Sequence, residues 1–72
     1  MKELSIDELV SKAKGVSSAD AWHFHYLTPK CIFNESGKHK IVLEIGEDVF
    51  CWLGAERPSQ LETLEHLFYN RV

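Results

Sequence analysis

The chain has no apolar run that approaches a membrane span. Its longest, Val49–Leu53, falls far short of the about 20 residues a transmembrane helix needs. Acids at Glu3, Asp7 and Glu8 stand where a signal peptide would carry its apolar stretch, so no export signal is expected and the cytoplasm is the expected compartment. Glycine is sparse. Gly37, Gly46 and Gly54 are isolated, and no glycine-rich loop is present to cradle a phosphate. There is no Cys-x-x-Cys pair and no helical His-x-x-x-His, which excludes the common zinc-finger and zinc-ribbon patterns. The two cysteines, Cys31 and Cys51, lack the density of a secreted disulfide scaffold. A single bridge between them and two free thiols both remain open. Internal repeats and low-complexity segments are also missing.

Positive charge is scarce as well. The net charge is −3, so the chain has no general pull on a phosphate backbone, and nucleic acid is not an expected partner. The imbalance lies in the C-terminal part. Residues 1–43 carry six Lys against five acids, and residues 44–72 carry two Arg against six acids. Lys30, Lys38, His39 and Lys40 form the one basic grouping, and its bland reading is solvated surface.

What the chain does have is the patterning of one small folded domain spanning residues 1–72. Its hydrophobic fraction of 44% argues against disorder. A domain of this size buries only about 60% of its unfolded surface, so its stability margin is thin and any site must be shallow. Ser5-x-x-Glu8 is a capping box, with Leu4 and Leu9 placed as a hydrophobic staple. Ile6, Leu9, Val10 and Ala13 then fall on one helical stripe, and Gly15 can end the helix in a left-handed conformation. A helix is therefore predicted over 5–14, preceded by frayed residues 1–3.

A polar connection over 16–21, with room for one short helical turn, leads to Trp22–Thr28, whose aromatic content favours a strand ending at Pro29. Further strands are predicted at Cys31–Asn34, His39–Ile45 and Val49–Leu53, with turns at 35–38 and 46–48. The last strand is apolar on both faces, as an interior strand would be. Pro58 and a second capping box, Ser59-x-x-Glu62, open a C-terminal helix with Leu61, Leu64 and Phe68 inward and Leu67 at the margin.

The expected fold is therefore α+β in α-β-β-β-β-α order. An antiparallel sheet of three to four strands would carry the N-terminal and C-terminal helices on one face. Ile41, Leu43 and Ile45 would meet the helices. The opposite face would then hold Val42, Phe50, Trp52 and the aromatics of the first strand, an apolar surface that a homodimer would cover.

Three functional readings follow. The first is a small non-enzymatic binding module, a homodimer or a partner of another protein. Its contact surface would be an aromatic sheet face of Trp22, Phe24, Tyr26, Phe50 and Trp52. Stacking of single-stranded bases on those rings would require interleaved basic residues, which are missing. The second is a zinc-type metal site. His23 and His25 share one face of a strand, about 6.5–7 Å apart at Cα, and Cys31 and His39 stand close by in sequence. Imidazole and thiolate are ligands that zinc accepts in a tetrahedral set. The third is a Cys/His enzyme using Cys31 beside Lys30, or an acid–base pair of histidines. His66 falls on the polar side of the C-terminal helix near Glu62, where it is solvated.

Overall fold

The computed structural model describes residues 1–16 and 22–69. The elements in chain order are β1 (Lys2–Glu3), α1 (Ile6–Lys14), β2 (Trp22–Leu27), β3 (His39–Ile45), β4 (Asp48–Gly54) and α2 (Leu61–Tyr69). The helical turn considered within 16–21 falls on residues 17–21, outside the described residues. The α+β class stands, with two helices and a four-stranded sheet. Among the described residues no helix is long and apolar enough to cross a membrane.

The sheet order is β1-β4-β3-β2. β2, β3 and β4 form an antiparallel meander, and β1 pairs parallel to β4 through Lys2 with Phe50 and Glu3 with Cys51. The sheet is therefore mixed, not purely antiparallel. Residues 2–3 are not frayed, because the Leu4 amide donates to the Cys51 carbonyl at 2.7 Å and anchors the segment. β4, the strand apolar on both faces, is an interior strand flanked by β1 and β3.

The strand expected at Cys31–Asn34 does not form. Two consecutive turns replace it, closed by the Cys31 amide on the Thr28 carbonyl and the Asn34 amide on the Cys31 carbonyl, both at 3.0 Å. The side chain of Asn34 decides this outcome. Although it stands in a loop, it is only 6% exposed. Its Nδ2 donates to the carbonyls of Leu27 (3.2 Å), Thr28 (3.0 Å) and Lys38 (2.5 Å). Its Oδ1 accepts from the Ser36 amide (3.2 Å) and hydroxyl (2.6 Å). Asn and Ser offer the backbone an alternative to a strand ladder, and here that alternative outweighs the β propensity of Ile32 and Phe33.

α1 begins as predicted. Ser5 is its N-cap, accepting from the Glu8 amide at 3.2 Å. The Glu8 carboxylate takes the Ser5 hydroxyl rather than the Ser5 amide. Gly15 ends the helix in a right-handed conformation (φ −77°) and donates to the carbonyls of Ser11 and Lys12. In α2 the expected box does not close. The Ser59 hydroxyl donates to Gln60 Oε1, and the helix starts at Leu61. The β3–β4 turn is Gly46-Glu47, with positive φ at Gly46 (59°) and, among the described residues, at no non-glycine residue. This is the pattern of a II′ hairpin turn, which requires glycine at the first central position.

That two-residue turn fixes the register. Ile45 lies opposite Asp48, so Leu43 faces Phe50 and Ile41 faces Trp52. On the other side of β3, Phe24 lies opposite Leu43 and Tyr26 opposite Ile41. Residues directly opposite in a sheet share a face. Trp22, Phe24, Tyr26, Phe50 and Trp52 thus lie with Ile41, Leu43 and Ile45 on the side covered by the helices. α2 covers β2, with Phe68 edge-on to Trp22 (5.5 Å) and to Phe24 (5.1 Å). α1 covers β4, with Lys12 Nζ 4.9 Å from the Phe50 ring centre. Leu9, Ile41, Leu43, Leu61 and Leu64 are fully buried between the layers, each worth about 1.5–3 kcal/mol of burial.

Candidate functional site

The expected aromatic docking face is not an open surface. Trp22 is 2% exposed, and Phe24, Tyr26, Phe50 and Trp52 pack against the core beneath the helices. The sheet face that carries no helix among the described residues has a different membership: His23, His25 and Leu27 from β2, Lys40, Val42 and Glu44 from β3, and Val49, Cys51 and Leu53 from β4. Its apolar members are half-buried or buried, while His23 and His25 are exposed.

The four expected metal ligands are divided. His23 and His25 share the helix-free face. His39 lies on the helix side of β3, stacked on Tyr26 with ring centres 5.9 Å apart and planes 11° from parallel. Its Nδ1 is 2.5 Å from Tyr26 Oη. Cys31 sits half-buried in the turns after β2, and both Cys31 and Cys51 are free thiols. Among the described residues no three His, Cys, Asp or Glu side chains converge on a common point within one chain. The physical cause is the parity of β3, which puts His39 with Ile41 and Leu43 rather than with its neighbour Lys40.

The structure instead draws the distinctive groups to β2. Among the described residues no strand pairs along its outer edge. On the helix side of that edge lies a shallow groove of about 270 Å³, lined by Phe24, Tyr26, Glu65, Phe68 and Tyr69. On the opposite side His25 Nε2 meets Glu44 Oε1 at 3.1 Å. As a solvent-exposed pair this adds little stability, and it turns the Nε2 edge of His25 towards Glu44. Beyond the end of β2, the turns held by Asn34 display Ile32 (86% exposed) and Phe33 (79%).

Sequence reasoning placed Phe24, Tyr26, His23 and His25 on opposite sides of one strand, as found. It missed Glu44, Glu65, Phe68 and Tyr69, whose roles depend on which elements pack beside β2. It also missed Asn34, for which Asn34-Glu35-Ser36 was a readable signal of a side-chain-closed turn. Comparisons with protein-family models, curated proteins and solved structures find no match for this chain.

Proposed function

We propose that this domain is a non-enzymatic interaction module that forms a homodimer by adding the β2 strand of a second copy along its free edge. The observation that carries this reading is the character of that edge. β2 is six residues long, Trp-His-Phe-His-Tyr-Leu, with no Lys, Glu, Asp, Pro or Gly in it. Natural edge strands are normally protected by charge, proline, bulges or shortness. The opposite edge of this sheet has such protection, since β1 is only two residues long and is itself Lys-Glu.

Exposed apolar surface supports the same side. Among the described residues the exposed large hydrophobics are Met1, Ile32, Phe33 and Tyr69. Tyr69 borders the groove beside β2, and Ile32 and Phe33 stand in the turns that follow β2 directly. The helix-free face is a weaker candidate, because its apolar side chains are already half-buried among Lys40, Glu44 and His25. A second copy suits the edge because two-fold antiparallel pairing matches β2 to itself. Aromatic groups meet aromatic groups on one side, and no charged strand residue opposes a like charge.

Sedimentation equilibrium in EDTA, from about 1 to 500 µM, tests this. A dimer is expected, and Tyr69→Ala should raise its dissociation constant about tenfold or more, the loss of roughly 1.4 kcal/mol. A strict monomer throughout that range sinks the reading.

A further inference from the structure

A two-fold axis that pairs β2 antiparallel with its own copy stands perpendicular to the sheet and leaves each face on its own side. Residues directly opposite one another then carry numbers of the same parity. Two registers overlap the strand well. Centred on His25, the pairing sets Phe24 against Tyr26 and leaves Trp22 opposite Thr28, beyond the strand end. Centred on Phe24, it sets Phe24, which lines the edge groove, against the second copy's Phe24, while Trp22 stays covered by Phe68 within its own chain. Only this register brings all four imidazoles together. On the helix-free face, the same register places His23 opposite the second copy's His25, and His25 opposite the second copy's His23.

We infer that the dimer edge is a transition-metal site of the zinc class, formed by His23 and His25 from each of two copies, with the ion on the two-fold axis. This inference rests on the edge-pairing reading above. The four imidazoles start from the corners of a patch about 5 Å across the strands and about 7 Å along them. A tetrahedral set of four ligands is compatible with a two-fold axis through the ion, and neutral imidazole suits zinc. A single chain supplies only half of the set, consistent with the absence of any three-ligand group among its described residues.

A second observation points to ligation. His25 Nε2 is held by Glu44 Oε1 at 3.1 Å, which leaves Nδ1 as the nitrogen for a metal. A carboxylate on the far nitrogen is the usual way a protein orients a metal-binding histidine. Glu44 stands directly opposite His23 in the sheet register, and its carboxylate contacts His25. Glu44 is a positioning residue here, not a ligand.

The test is sedimentation equilibrium of the full chain in EDTA and with Zn²⁺ added stepwise, with Co²⁺ absorption as a readout of coordination geometry. Zinc is expected to tighten the dimer at least tenfold and to saturate at one ion per two chains, with intense tetrahedral-type Co²⁺ bands. His23→Ala and His25→Ala should each remove the zinc-dependent tightening, measured against that variant's own dissociation constant in EDTA. His39→Ala and Cys31→Ser should leave zinc binding unchanged. Glu44→Gln should weaken Zn²⁺ affinity about 10–100-fold, measured against that variant's own association in EDTA. A dimer indifferent to zinc overturns the metal site and leaves edge pairing standing. A monomer with or without zinc overturns both. Zinc binding that survives His23→Ala, or that is lost in Cys31→Ser, overturns the assignment of ligands.

Discussion

Replacing Asn34 with alanine should destabilise the domain by about 2–4 kcal/mol, although the residue lies in a loop outside the hydrophobic core cluster. The amide side chain is 6% exposed and serves five neighbours: three backbone carbonyls through Nδ2 and the Ser36 amide and hydroxyl through Oδ1. Nδ2 has two hydrogens for three carbonyls, so about four full hydrogen bonds are at stake. Each is worth about 0.5–1.5 kcal/mol net. Total stability for 72 residues is on the order of 4–11 kcal/mol, so the loss is a large share of the whole. At about 4–8 °C per kcal/mol for a domain of this size, Tm should fall by roughly 10–30 °C. Urea denaturation followed by circular dichroism measures the free energy directly. Asn34→Asp separates the two halves of the network, because it keeps the acceptor, removes the donor and aims a carboxylate at three carbonyl oxygens. It should be at least as damaging as Asn34→Ala. A loss below about 0.5 kcal/mol for alanine, or an aspartate variant more stable than the alanine variant, would refute the assignment of Asn34 as the organiser of this loop.

Other substitutions test the packing that positions β2. A Cβ built on Gly54 would meet Trp52 Cη2 and Cζ2 at 2.3 Å, so Gly54→Ala must displace the indole. It should cost about 1–3 kcal/mol and shift the tryptophan fluorescence and near-UV dichroism, and unchanged spectra would contradict the packing of that ring over the strand. Tyr26→Phe deletes the hydroxyl that reaches His39 Nδ1 while keeping the stacked ring. A loss of about 0.5–1.5 kcal/mol by urea denaturation is expected, and an unchanged free energy would contradict a stabilising Tyr26–His39 hydrogen bond.

Much of the architecture is legible in the residues. Ser5-x-x-Glu8 with its Leu4–Leu9 staple marks the start of α1, and the alternation from His39 to Ile45 marks β3. The doubly apolar Val49–Leu53 marks an interior strand. The face of the aromatics was misassigned: the expectation above puts Phe50, Trp52 and the aromatics of the first strand opposite the helices, and all of them lie on the helix side. A two-residue Gly46-Glu47 hairpin pairs Ile45 with Asp48 and carries Phe50 and Trp52 to the Leu43 and Ile41 side by parity alone. The strand β1 was not readable. Lys2–Glu3 has no strand-like pattern and becomes a strand only because β4 offers an unpaired edge. Cys31–Asn34 has strand-like side chains, and the local network of the Asn34 amide, signalled by Asn34-Glu35-Ser36, outweighs them and holds it in turns. His39 shares the parity of Ile41 and Leu43, so its side of the sheet was readable, whereas the place of Cys31 depended on the turns that follow β2.

The proposed dimer and the stability of the fold are linked by mass action, which gives a test independent of sedimentation. A second copy that binds only the folded chain adds to its stability, and the addition grows with protein concentration. For a dimer saturated well above its dissociation constant, each tenfold rise in concentration adds about 1.4 kcal/mol per dimer, or about 0.7 kcal/mol per chain. That corresponds to a Tm increase of about 3–6 °C per decade for a chain of this length. The strand at issue is immediately followed by the loop that Asn34 holds, since Nδ2 clamps the carbonyls of Leu27 and Thr28 at the end of β2. If Ile32 and Phe33 contribute to the interface, Asn34→Ala should flatten the concentration dependence as well as lower Tm at every concentration. If edge pairing alone holds the dimer, Tm should drop and the slope should survive. A flat Tm for the unaltered chain from 5 to 500 µM (both limits are about what calorimetry and dye-free fluorescence reach) would contradict folding-linked self-association.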